Sequence, residues 1–260
     1  MKKLLLAFHF LTIIPIKEMG AVSEKDMGSA SALFPVVGAV QGGLLALSAM
    51  ALMKVFPAEL TNGLLVLFMV IMTGGLHLDG LADMFDAIAS RGNKEKKLAI
   101  MKDSTVGPFG VIAIVLVILL KYLSLNALLL HSAQITYYSA LFLMPVFSRW
   151  AMVPAIFHCK SARQDGLGKI FIEHTGTKEL LIATLLTILP LLLLFPLVPY
   201  LLLLAPFLLT LPVLYIFCII AVWFSNKNFG GMTGDTFGAV AEISELLFLM
   251  TVVLCSQKYI

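Results

Sequence analysis

Apolar residues run along this chain in blocks of about 20, separated by shorter segments that carry nearly all of its charge. A block of that length spans the hydrocarbon core of a bilayer as an α-helix. The blocks fall at 30–53, 60–76, 107–125, 136–157, 180–197, 201–224 and 239–256, with the two leucine-rich ones joined only by Val198-Pro199-Tyr200. Ahead of them, residues 4–14 form an apolar stretch too short to span and interrupted by His9 and Thr12. Lys2 and Lys3 precede it, but no small-x-small cleavage site follows among Lys17, Glu18, Met19 and Gly20, so it reads as an interfacial helix rather than a leader. The pattern predicts an all-α, polytopic membrane bundle of about seven transmembrane helices plus that N-terminal interfacial helix, in a single domain over 1–260.

Composition agrees, with 60% hydrophobic and 13% charged residues and a mean hydropathy of +1.00. The charge distribution adds sidedness. Placing the N-terminus and the segments 77–106, 158–179 and 225–238 on one side collects 14 of the 18 Lys and Arg residues there. Lys54, Lys121 and Lys258 go to the other side and Arg149 lies inside a span. The positive-inside rule makes the rich side cytoplasmic. A net charge of +3 carries no nucleic-acid signature, and Cys159, Cys218 and Cys255 lack metal-type spacing, so they read as packing residues.

Within the charged segments the acids are grouped. Asp79, Asp83 and Asp86 follow the second apolar block at i, i+4 and i+7, one face of a helix. Three carboxylates beside lipid are costly unless a cation sits among them. Asp235, Glu242 and Glu245 form a second group with helical spacing. The helix dipole is a competing explanation for the two glutamates. Carboxylates without thiolates suit Mg2+, which keeps waters and is shared with substrate phosphates.

Other residues fit a phosphorylated ligand. Gly230, Gly231, Gly234 and Gly238, interleaved with Thr233 and Asp235, offer backbone N–H groups to phosphate oxygens. For Gly38, Gly42 and Gly43 close helix packing is the better reading. Lys102, Asp103, Ser104 and Thr105 precede the helix that Pro108 starts, where capping and anion binding are both open. Arg149 sits about eight residues, roughly 12 Å, inside its helix and is expected to pair with a diphosphate oxygen or with one of the aspartates.

Three motifs stand in order along the chain. They are Gly74-Gly75-Leu76-His77-Leu78-Asp79-Gly80-Leu81-Ala82-Asp83 with Asp86, Met101-Lys102-Asp103-Ser104 with Gly107 and Gly110, and Gly230-Gly231-Met232-Thr233-Gly234-Asp235 with Gly238, Ala239 and Glu242. Together with Phe10-Leu11-Thr12-Ile13-Ile14-Pro15 and the Ala162-Arg163 and Gly166-Leu167-Gly168 loop, they resemble the cobalamin synthase (adenosylcobinamide-GDP ribazoletransferase) family. The loop departs from that pattern at Gln164, where proline is expected.

The resemblance implies a Mg2+-dependent phosphotransferase of a bacterial inner membrane, with its active-site loops in the cytoplasm. Activated cobinamide, adenosylcobinamide-GDP, is joined to α-ribazole or α-ribazole 5′-phosphate with release of GMP. It assigns Asp79, Asp83, Asp86, Asp235 and Glu242 to the metal. Asp79, Asp83, Asp235 and Glu242 are the catalytic candidates, and Asp235 and Glu242 either complete the metal site or take the hydroxyl proton. Lys102, Asp103, Ser104, Arg149, Arg163, Gly231 and Gly234 are the substrate-binding candidates. Oligomerisation is left open. A CDP-alcohol phosphotransferase is the alternative enzyme, but its pattern has Arg where Asp83 follows Ala82. A cation-coupled transporter predicts inverted repeats, and the chain shows none.

Overall fold

A computed structural model describes residues 2–14, 22–194 and 201–256. Among these the regular structure is helical. Helix α1 is Lys2–Leu11, α2 is Glu24–Ser29, α3 is Phe34–Leu52 after a short 3-10 turn at Ala30–Leu33, and α4 is Ala58–Thr73. Then come α5 (Leu76–Ala89), α6 (Lys94–Ile100), α7 (Pro108–His131), α8 (Gln134–His158) and α9 (Leu167–His174). The chain continues as α10 (Thr177–Leu194), α11 (Leu201–Phe229) and α12 (Gly234–Ser256). The Val198-Pro199-Tyr200 connection and the 17–20 segment lie outside the described residues.

Five helical segments are long and apolar enough to cross a membrane, or seven if each of two bent pairs counts as one span. The bent pairs are α4 with α5, at 88°, and α9 with α10, at 95°. The first bend has a local cause. Gly74 and Gly75 take φ of 63° and 75°, a left-handed conformation that glycine adopts without a Cβ penalty. Their N–H groups close onto the carbonyls of Ile71 and Val70, so α4 stops and α5 starts at right angles to it. We read α5 as lying along the membrane boundary, outside the spans.

The centre of the bundle is α8, with 19 of its 25 residues buried. Gly38 and Gly42 let α3 rest on its backbone: a Cβ at Gly42 would lie 2.0 Å from the Phe142 carbonyl oxygen. Gly43 faces open space, so the packing expectation holds for two of the three glycines. Side chains such as Val111, Val115, Ile216, Ile220 and Leu47 stay exposed, as a lipid-facing surface requires. Helix α1 is amphipathic. It buries Leu6, Ala7 and Leu11 and places Phe10 against Phe34 and Phe171, with ring centroids 5.7 and 4.6 Å away.

Several expected boundaries move: α7 runs on to His131 and α11 to Phe229, beyond the expected 125 and 224, and at the last helix the reason is local. The last helix begins at Gly234 rather than 239, because Thr233 and Thr236 cap it reciprocally: each backbone N–H donates to the other's hydroxyl, at 2.8 and 3.3 Å. Segment 77–106, expected to connect two spans, contains α5, the helix expected for the three aspartates, and also α6.

Candidate active site

The start of α12 and the face of α5 cross at Gly80. A Cβ there would lie 2.6 Å from the Asp235 carbonyl oxygen, so only glycine permits this approach. The crossing gathers Asp79, Asp83 and Asp235 at one end of the bundle. Burial, followed by the neighbouring carboxylates of Asp79, Asp235 and Asp86, pushes the Asp83 carboxyl up to about 7. Arg163 joins from the segment between α8 and α9. Its guanidinium donates to Asp235 Oδ2 at 2.9 Å, while its Nε has no partner.

That segment is held by a short parallel pairing of Ser161 with Met232. Met232 N donates to the Lys160 carbonyl at 2.8 Å and Ala162 N to the Met232 carbonyl at 3.0 Å. Gly231 is required for this pairing, since a Cβ would lie 2.4 Å from the Lys160 carbonyl oxygen. Its position therefore has a structural explanation independent of phosphate. Gly234 is exposed beside the acids and lines the same cavity as Asp235.

This cavity has a volume of about 380 Å3. Asp79, Arg163, Asp165, Lys169 and Asp235 give it charge, and Leu6, Phe10, Met27, Leu167 and Phe171 of α1, α2 and α9 give it an apolar surface. His77 lines it as well, 3% exposed and with an unpartnered Nδ1. An orphaned histidine and a half-satisfied arginine beside a carboxylate group are polar capacity that a bound ligand can satisfy.

The remaining predicted site residues lie elsewhere. Asp86 spends its carboxylate on α7, accepting from Gly107 N at 2.7 Å and Gly110 N at 2.9 Å. It therefore performs the capping that Asp103, Ser104 or Thr105 was expected to supply. Asp86→Ala is expected to lower stability by about 1–2 kcal/mol in thermal unfolding, with a smaller loss of turnover than a change at Asp79. Asp103 folds back on its own loop. The hydroxyl and N–H of Thr105 donate to its Oδ1, and these bonds hold its carboxyl below the usual range. Lys102, Asp103 and Ser104 are exposed and do not line the cavity.

Glu242 and Arg149 belong to a separate, buried charge cluster. Lys121 Nζ donates to Glu242 Oε2 at 2.6 Å and to Glu245 Oε2 at 2.5 Å, while Arg149 Nη1 donates to Glu245 Oε1 at 2.8 Å. All four side chains are at least 94% buried. Glu242 thus faces Lys121 rather than the aspartates, and Arg149 pairs with a glutamate rather than with either expected partner. Lys121, assigned by its place in the chain to the outer side, is inside the bundle. Two cations and two anions neutralise each other there, which is how charge is tolerated at such depth.

Among the described residues no three His, Cys, Asp or Glu side chains converge closely enough to chelate an ion on their own. The donor set is still suitable for Mg2+, which is commonly held by one or two carboxylates together with waters and substrate phosphates. Sequence reading assigned no role to His9, which lines the cavity, or to the apolar side chains beside it. Only contacts between distant segments identify them.

Comparison with known proteins places the chain among relatives of one name. The chain is 38% identical over 254 residues to the adenosylcobinamide-GDP ribazoletransferase of Geotalea daltonii, covering 97% of each chain. It is 39% identical over 253 residues to the protein of that name in Caldanaerobacter subterraneus subsp. tengcongensis, covering 95% of this chain and 96% of the relative. The corresponding figures for the protein of that name in Clostridium acetobutylicum are 35% over 252 residues, covering 96% and 95%. No solved structure matches. The family described as CobS, cobalamin-5-phosphate synthase, matches residues 3–253, and the chain belongs to it.

Proposed function

We propose that the chain is an adenosylcobinamide-GDP ribazoletransferase, which joins the phosphocobinamide moiety of adenosylcobinamide-GDP to α-ribazole or its 5′-phosphate and releases GMP. The observation that carries this reading is the meeting of Asp79, Asp235 and Arg163 on the wall of one cavity, with Asp83 beside them. The ribose 3′-hydroxyl attacks the phosphorus bonded to cobinamide, and GMP leaves in line. Arg163, oriented by Asp235, supplies a planar cation for a diphosphate oxygen. Asp235 lines the cavity and is the candidate for accepting the hydroxyl proton. Asp79 and Asp83 would hold Mg2+ together with waters and diphosphate oxygens. The ion supplies charge neutralisation at the diphosphate and at the departing GMP. The loops at this end carry most of the cations, and we place them in the cytoplasm of the inner membrane.

The test is GMP release by purified protein in nanodiscs, supplied with adenosylcobinamide-GDP and α-ribazole and titrated with Mg2+. Release is expected, and it is expected to depend on the ion. Because the Asp83 carboxyl is pushed up to about 7, it is mostly protonated below that pH, and Mg2+ must displace the proton. Apparent Mg2+ affinity is therefore expected to fall about tenfold between pH 8 and pH 6. An affinity independent of pH excludes Asp83 from the metal site. Absence of GMP release from intact protein overturns the transferase reading.

A further inference from the structure

We propose that the apolar wall of the cavity, formed by α1, α2 and α9, is the binding site for the base of α-ribazole. This rests on the transferase reading and adds to it the location of the acceptor. The wall consists of Leu6 and Phe10 from α1, Met27 from α2, and Leu167 and Phe171 from α9, with Met152 of α8 behind them. A dimethylated benzimidazole is a flat apolar bicycle, suited to aromatic and thioether surfaces. Guanine, the base of the other substrate, presents hydrogen-bonding groups along its edge. Among the described residues His9 of α1 and Lys169 of α9 are the polar side chains that these three helices bring to the cavity, fewer than the donors and acceptors on the guanine edge, so part of that edge would be desolvated without partners. The corrin macrocycle is far larger than a cavity of about 380 Å3, whereas a single nucleoside is of the size that such cavities enclose. With the base against this wall, the ribose lies within the same cavity as Asp79 and Arg163. The amphipathic helix α1 therefore roofs the acceptor site in addition to lying at the membrane boundary.

The experiment compares the KM values for the two substrates in nanodisc-held protein. Met27→Trp fills the wall from a half-buried position, and Leu167→Trp fills it from a residue that is 49% exposed and so tolerant of replacement. Each is expected to raise the KM for α-ribazole by about tenfold or more, with kcat and the KM for adenosylcobinamide-GDP within about twofold of the wild type. An unchanged α-ribazole KM in both variants overturns the proposal, as does a rise confined to adenosylcobinamide-GDP. If Met27→Trp does not insert, Leu167→Trp decides alone. Wild-type protein that releases no GMP defeats the transferase reading itself, a result distinct from active enzyme with unaltered KM values.

Discussion

Asp79→Ala and Asp83→Ala are each expected to lower GMP release by about a hundredfold or more while the protein inserts and unfolds at an undiminished temperature. The loss follows from charge. A diphosphate approaching Asp79, Asp83 and Asp235 is repelled unless a divalent cation stands between them, and removing one carboxylate weakens the hold on that cation. Retained stability follows from the same crowding: Asp83 lies among like charges, so neutralising it relieves repulsion rather than breaking a bond. Asp83→Asn is the stricter variant, since it keeps the volume of the side chain. Near-normal turnover at limiting Mg2+ in all these variants would remove the metal site from α5. A fall in unfolding temperature as large as the fall in rate would make the aspartates structural.

The features legible in the sequence are those that depend on neighbours along the chain. Apolar runs gave the spans, and the pair Gly74-Gly75 with Asp79 and Asp83 marked the place where α4 ends and charge gathers. Roles that depend on distant partners were not legible. Asp86 shares a helical face with Asp79 and Asp83, yet its hydrogen-bond donors are 21 and 24 residues away at the start of α7. Lys121 sits alone in an apolar run and meets its carboxylates 121 and 124 residues later. Glu242 and Asp235 have the spacing of one helical face, but two turns of α12 carry Glu242 from the mouth of the cavity to the interior. Periodicity fixes which face a residue is on and says nothing of what stands opposite.

The buried cluster supplies the second large effect. Lys121→Met leaves Glu242 without its cation and Glu245 with Arg149 alone, and removing one partner from a buried ion pair costs about 3–5 kcal/mol. The variant is expected to accumulate poorly and to unfold well below the wild type in detergent. Glu242→Gln, whose amide oxygen can still accept from Lys121, is expected to lose less, about 1–3 kcal/mol, and to leave the Mg2+ dependence of the remaining activity unchanged. The double variant Lys121→Met with Glu242→Leu removes one charge of each sign and keeps the Arg149–Glu245 pair at 2.8 Å. It should recover most of the stability lost in Lys121→Met, because apolar side chains of similar volume replace a matched pair at little cost. If Glu242 were instead a metal ligand, Glu242→Gln would weaken Mg2+ affinity at wild-type stability. The double variant would then be as inactive as a change at Asp83, however well it folded.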